Sequence, residues 1–250
     1  ALDPISKPNF FDDLKLSKFL ENDYRDDIDN FSNLNKAIKK FKPNIVFHLA
    51  AQSSVLVSYK NPEDTVRTNI FGTFNILKGI QLNKSIKSAI IVTTDKVYLN
   101  EDKKINFDEN SKLGGHDLYS SSKACCEIVT ESFRQSFIST KNCRIATVRS
   151  GNCIGGGDWT DDRIVKDCVE AFVKKKSLVI RNPNATRPWQ HVMEPIYGYL
   201  KLAKLTGIAV KLPRKNYIMR PNMLMDHRNA HGSRKQRLCS NACFLTSAKP

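Results

Sequence analysis

Tyr119 and Lys123, four residues apart in Tyr-Ser-Ser-Ser-Lys, share one face of any helix that carries them. That placement lets an ammonium stabilise a phenolate and draw its pKa of ~10 towards neutrality, so that the tyrosine could take a proton from a hydroxyl. Upstream, the apolar stretch Ala89 to Val92 runs into Thr93-Thr94-Asp95-Lys96, a strand that ends in hydroxyl, carboxyl and ammonium groups. Tyr-x3-Lys alone equally suits a half-buried tyrosine beside a solvated lysine. The polar strand end shifts the balance towards chemistry, with Thr94, Asp95 and Lys96 as candidate partners of the pair.

The elements that must position these residues follow from periodicity. Phe31, Leu34, Ile38 and Phe41 recur at helical spacing and stop before Pro43. Ile45 to Ala50 is a short continuous apolar run, as expected for a strand covered on both faces. A second helix would put Val66, Ile70, Phe74 and Leu77 on its apolar face, and the Tyr119 helix would continue through Ile128, Val129, Phe133 and Phe137. Arg144 to Val148 reads as another strand, and this alternation predicts a parallel sheet with right-handed crossovers. Ligands of such sheets sit beyond the strand ends, where Ala50-Ala51-Gln52, Thr94-Asp95-Lys96 and Ser150-Gly151-Asn152 would converge. Further on come a helix with Ile164, Val165, Cys168, Val169 and Phe172, a strand Leu178 to Ile180, and a helix from about Pro195 to Leu205. Beyond Gly207 no period persists, so residues 207–250 read as a disordered tail.

The 250 residues suffice for a full core, and no apolar run approaches the ~20 residues of a membrane span. No membrane association is expected, and the N-terminus lacks the pattern of a signal peptide. Seven scattered cysteines, two of them adjacent, suit reduced thiols in a cytoplasm. His227-x3-His231 with Cys239-x3-Cys243 offers four donors for tetrahedral zinc, but the Cys spacing is unusual and no patterned element surrounds it, so no metal is expected. The net charge of +15 raises a nucleic-acid hypothesis. More than half of the excess lies in residues 207–250, where nine Lys or Arg face one acid. Aromatic stacking residues are sparse there, which leaves RNA binding as a secondary reading and no nucleic-acid partner as the expectation.

Seven motifs together carry a resemblance to the extended short-chain dehydrogenase/reductases, and within them to the CDP-glucose 4,6-dehydratase group. They are Ala1-Leu-Asp-Pro, His48-Leu-Ala-Ala-Gln52, Thr94-Asp95-Lys96, Gly114-Gly115, Tyr119-x3-Lys123, Gly151-Asn152-x2-Gly-Gly-Gly-Asp-Trp159 and Asn182 to His191. The resemblance implies an α/β fold with a Rossmann-like, doubly wound parallel sheet in residues 1–150 and a smaller, incomplete substrate lobe in residues 151–206. It implies NAD as cofactor and CDP-glucose as the nucleotide-sugar substrate. Water would be lost to give a CDP-4-keto-6-deoxyglucose, a step in deoxysugar and lipopolysaccharide O-antigen synthesis. Other nucleotide-sugar 4,6-dehydratases and 4-epimerases are the alternatives.

By the same resemblance Tyr119 would take the 4-hydroxyl proton, Lys123 would tune Tyr119 and hold the nicotinamide ribose, and Thr94 would donate to O4. Asp95 would protonate the departing 6-hydroxyl, although an Asp after a strand also serves as a loop cap. Lys96 replaces the glutamate of dTDP-glucose dehydratases and would act either as a neutral base or as a charged stabiliser of the enolate. Cofactor contacts are expected from Asp3, Asp27, Ile28, Ala50, Ala51, Gln52 and Asn69, the last holding a backbone kink; Asp3 equally suits a turn residue before Pro4. Asn152 and Arg187 would bind the substrate near its diphosphate, while Trp159 and Trp189 could flank the sugar or base but, as large aromatics, more often serve as packing. A homodimer through the Tyr119 helix and its predecessor is implied by analogy. The chain opens about where the second strand would end, so the Gly-rich pyrophosphate turn is expected to be missing and NAD binding to be weak or absent.

Overall fold

The structure is a computed structural model and describes residues 9–101, 106–138, 143–180, 182–207 and 216–219. After the short helix α1 (Phe10–Asp13), α2 spans Phe31–Phe41, capped by Asn30, whose side chain accepts from Asn33 N at 3.3 Å. Strand β1 (Ile45–His48) leads through α3 (Val55–Lys60), α4 (Pro62–Val66), a π-helical turn (Arg67–Phe71) and α5 (Gly72–Leu82) to β2 (Ser88–Val92). Next come a 3₁₀ turn (Asp95–Val97), the long α6 (Leu118–Ser136) and β3 (Arg144–Ser150). A two-residue strand β4 (Cys153–Ile154), α7 (Ile164–Val173), β5 (Gln190–His191), α8 (Met193–Gly207) and β6 (Asn216–Met219) complete the described chain.

The main sheet is parallel with order β1-β2-β3-β6, and a second small sheet pairs β4 with β5. Strand β2 alternates its side chains between two layers, as a central strand must. Ala89 and Ile91 pack under Ile38, Ile76, Leu77, Ile80 and Phe133, while Ile90 meets Tyr199, Leu202 and Ala203 of α8. The α/β sheet with helices on both faces agrees with the expected fold class.

Several expectations change. Strand β1 is not covered on both faces: it is a sheet edge among the described residues, and Ile45 (42%), Phe47 (36%) and Leu49 (55%) stand exposed. Phe74 of α5 is exposed, and the inward face is made by Thr65, Asn69, Thr73, Ile76, Leu77 and Ile80. The π-helical turn inserts a residue into the helical register and so rotates the buried face. On α6, Ile128 and Phe137 point outward while Glu127, Thr130 and Arg134 are buried. Leu178 to Ile180 makes no strand, having no ladder partner among the described residues. Within the tail, Asn216–Met219 does form a strand, paired with Thr147 to Ser150. Asp3 and the His227, His231, Cys239 and Cys243 group lie outside the described residues.

Candidate active site

Helix α6 begins at Asp117, whose carboxylate accepts from Ser120 N at 2.9 Å and from Ser120 Oγ at 2.7 Å. Cap and first turn set Tyr119 at the mouth of the crevice and Lys123 one turn deeper. Gly115 makes the approach possible: a Cβ there would lie 2.5 Å from Ser121 N and 2.7 Å from Ser120 C. Gly114 N in turn donates to Val97 O at 2.7 Å, which ties the loop before α6 to the 3₁₀ turn after Thr94.

At the end of β2 Thr94 caps that turn, accepting from Lys96 N at 3.4 Å, and donates to Asp95 Oδ1 at 3.1 Å. The capping role therefore falls to Thr94, which leaves the Asp95 carboxyl facing the crevice. Burial pushes Asp95 above the usual carboxylate range, against the pull of Thr94, Lys96 and Arg187 towards ionisation. Tyr119 is only 8% exposed, and burial pushes its phenol up to about 12; the Thr94 hydrogen bond and the Arg163 charge favour the phenolate, while Asp95 and Asp117 oppose it.

The expected drop of Tyr119 towards neutrality is absent for a geometric reason. The Lys123 ammonium, 5% exposed, turns to Val92 O at 3.1 Å, and burial lowers its own pKa. Lys96, in contrast, stands exposed at the rim beside Asp95.

Asn69 sits in the π-helical turn and bridges the strand ends to α6. Its Oδ1 accepts from Gln52 N at 2.9 Å, and its Nδ2 donates to Gln52 O at 3.1 Å and to Ser122 Oγ at 2.8 Å. Gln52 spends its own side chain on Ser54 N, Ser54 O and Thr65 Oγ1, holding the turn after β1 closed. Ala50 is exposed and Ala51 half-buried beside it. Asp27 accepts from Asp29 N at 3.2 Å and lies 3.9 Å from Arg67, while Ile28 packs under Gly72, where a Cβ would meet it at 2.6 Å.

A cavity of about 720 Å³ gathers Thr94, Asp95, Lys96, Tyr119, Asn152 and Arg187, a size suited to a small-molecule ligand. Two of the three expected strand ends line it; at the third, the wall starts with Ser53 and Ser54 rather than Ala50 to Gln52. Asn152 O accepts from Gln190 N at 3.0 Å, so the β4–β5 pairing fixes it, and Arg187 Nη1 donates to Thr186 O at 2.8 Å. Arg163, which the sequence reading missed, donates to Ser53 Oγ at 3.2 Å across the crevice, and Trp189, weighed as packing or as a flank of the sugar or base, is 41% exposed on the wall. An arginine in a polar loop gives no signal of which cavity it meets. Trp159 is likewise exposed, at 38%.

A tyrosine and a lysine on one helix face, packed against the polar ends of a parallel sheet, define an extended short-chain dehydrogenase/reductase. The chain belongs to the GDP-mannose 4,6 dehydratase family, whose family model matches residues 16–206. It is 41% identical over 209 residues to the CDP-glucose 4,6-dehydratase of Salmonella typhimurium, which covers 82% of this chain and 58% of that protein. The chain thus spans less than two thirds of that relative's length. The structure resembles a dTDP-glucose 4,6-dehydratase from Bacillus anthracis in complex with NAD, with TM-score 0.66, 21% identity, and 86% of this chain and 64% of that one covered. It also resembles a UDP-glucuronic acid 4-epimerase from Bacillus cereus in complex with UDP-glucuronic acid and NAD, with TM-score 0.68 and 20% identity over 82% of this chain and 63% of that one. Among the described residues no helix is long and apolar enough to cross a membrane.

Proposed function

We propose that this chain carries the reaction crevice of an NAD-dependent dehydratase that converts CDP-glucose to CDP-4-keto-6-deoxyglucose with loss of water. The observation that carries the reading is the Asp95 carboxyl, whose burial favours the protonated form, beside Thr94 and Tyr119. Elimination of a hydroxyl needs a proton donor at the leaving oxygen, whereas a 4-epimerase needs no such acid.

The residues present fit the dinucleotide by their chemistry. The buried Lys123 ammonium has three N–H donors and makes one hydrogen bond among the described residues, to Val92 O, so it can serve ribose hydroxyls. Asp27 and Ile28 are proposed adenine contacts, with Asp3 for a ribose hydroxyl and Ala50, Ala51, Gln52 and Asn69 framing the turn. NAD, when bound, supplies the acceptor for the C4 hydride and returns it at C6.

Tyr119 takes the O4 proton as its phenolate, the form favoured by the Arg163 charge and, once it turns from Val92 O, by the Lys123 ammonium, while Thr94 donates to O4. Asp95 delivers its proton to the departing O6, so the lost water carries that oxygen. The proton lost from C5 goes to a base beside the ring, for which Lys96, next to Asp95 on the cavity wall, is the candidate, and it returns to C5 when the hydride reaches C6. Arg187 and Asn152 hold the diphosphate end of the substrate in the shared cavity. A homodimer through the outer faces of α5 and α6 is proposed with this function. Cytoplasmic operation is proposed too, supported by the free thiols of Cys125, Cys126, Cys143, Cys153 and Cys168.

With NAD in large excess, to offset the weak binding expected from the sequence, incubation with CDP-glucose is expected to give the alkali-induced absorbance of a 4-keto sugar, with dTDP-glucose a poor substitute. CDP-galactose as the product, with no keto sugar, would replace the dehydratase reading by a 4-epimerase.

A further inference from the structure

Outside the cavity, the most deeply buried ion pair lies two turns along α6 from Tyr119. Glu127 continues the Tyr119-Lys123 stripe by the same four-residue step and is 1% exposed. Its Oε1 accepts from Arg149 Nε at 2.7 Å and from Thr93 Oγ1 at 2.7 Å, and its Oε2 is bonded to Arg149 Nη2. Arg149, also 1% exposed, lies with its guanidinium 4.9 Å from the Tyr98 ring centroid and directs Nη1 to the carbonyls of Asp108 and Glu109, both at 3.5 Å. Thr93 is held in turn by Val148 O, through its N at 2.8 Å and its Oγ1 at 3.1 Å.

A buried pair of this kind is a poor source of stability. Removing two charges from water offsets most of their attraction, and apolar residues of similar volume often serve as well. What a guanidinium fork adds is direction, because two parallel N–H···O bonds are satisfied at one relative placement of helix and sheet. None of the three lines the cavity, but each sits on an element that leads into it. Thr93 immediately precedes Thr94 and Asp95, Arg149 immediately precedes the Ser150-Gly151-Asn152 end of β3, and Glu127 belongs to the helix of Tyr119.

We propose that Glu127 and Arg149 are positioning residues that set the register of α6 against the ends of β2 and β3 and so hold the Tyr119 phenol at Thr94. A slip of one residue moves a helix by about 1.5 Å and turns it by roughly 100°. That is enough to break the Thr94 contact. The proposal rests on the reading of Tyr119 and Thr94 as the proton-handling pair.

The double variant Glu127→Met/Arg149→Met removes both charges together and leaves neither partner buried alone. With ring-labelled tyrosine, the Tyr119 resonance is assigned by its loss in Tyr119→Phe. In the folded double variant that resonance is expected to shift and to titrate at lower pH than in the wild type, as the loosened phenol meets water. Tyr98, which touches Arg149, moves whatever the outcome and serves as the control. With CDP-glucose and NAD, kcat is expected to fall on the order of 100-fold with KM little changed, the mark of misplaced chemistry rather than lost binding. A folded double variant in which the Tyr119 resonance and its titration match the wild type overturns the proposal. Should the double variant not fold, Thr93→Val removes the hydroxyl's bonds to Glu127 and Val148 O isosterically, and an unmoved Tyr119 resonance there overturns it equally. If the wild type turns over no CDP-glucose, the functional reading fails, while the resonance still decides the positioning.

Discussion

Asp95 and His48 show how burial writes pH dependence into single residues. The folded-state pKa of Asp95 stands above the unfolded value of about 3.9, so the folded protein holds that proton more firmly than the unfolded chain does. This contribution to stability is complete below about pH 4 and is lost as the pH rises through the folded-state value. Asp95→Asn, neutral throughout, is expected to melt above the wild type at neutral pH and level with it in acid; thermal melts across that range check it, and a wild-type advantage at neutral pH would mean an ionised, well-paired carboxylate. His48 behaves in the opposite sense. Burial, and then the Lys123 charge, push its imidazole down to about 3, with Nε2 3.0 Å from Thr73 Oγ1. Its contribution is present above the unfolded pKa of about 6.5 and is lost as the pH falls towards 3. His48→Gln is therefore expected to flatten the acid side of the stability curve. For activity, Tyr119→Phe removes the proposed general base and is expected to lower kcat by about 10²- to 10⁴-fold without unfolding the protein, as measured by turnover alongside circular dichroism.

At the scale of elements, the start of α6 is the sensitive point. Gly115→Ala drives a Cβ into the backbone of Ser120 and Ser121 and is expected to destabilise by about 1–3 kcal/mol as well as to displace Tyr119. Gly156→Ala is the matched control, because nothing lies within 4 Å of the added Cβ. Denaturant midpoints of the two variants make the comparison, and equal midpoints would show that the loop before α6 yields freely. How far elements could be read from sequence divides along a physical line. Helix α2 is legible to the residue because Phe31, Leu34, Ile38 and Phe41 recur at helical spacing and Pro43 follows its end. The α4 to α5 segment is misphased because its inward face is polar and satisfied by specific bonds, Asn69 to Ser122 and Thr73 to Cys126. Hydrophobic period cannot reveal a face that is paid for by hydrogen bonds. The same holds for Glu127 and Arg134 on α6, which are buried. The site was legible where motif and element coincide, at Thr94, Asp95 and Tyr119. On the loops of the cavity wall the motif residues Asn152 and Arg187 were legible, whereas Arg163, which belongs to no motif, was not.

For the whole molecule, the outward turn of the α5 and α6 apolar residues has a consequence for assembly. Phe71 (58%), Phe74 (40%), Ile128 (56%) and Phe137 (57%) are exposed on these two helices. The Phe74 and Phe133 rings meet edge to face at 5.5 Å, and Phe133 and Phe137 lie 4.9 Å apart, so an aromatic row is already rigid before any partner arrives. Rigid aromatics lose little side-chain freedom on association, which favours this face over isolated exposed residues such as Phe172 (86%) on α7. Opposing the association is the net charge of +15, which repels a second copy at long range and is screened within about 10 Å at 0.1 M salt. The proposed homodimer is therefore expected to strengthen as salt rises, the reverse of an association driven by opposite charges. Sedimentation velocity over a salt series should show the dimer fraction growing. Ile128→Glu/Phe137→Glu should hold the protein at monomer mass with its circular dichroism unchanged, and Phe172→Glu should leave the dimer intact. A wild type that stays monomeric at every salt concentration, or a dimer lost in Phe172→Glu alone, would remove the α5 and α6 face from consideration.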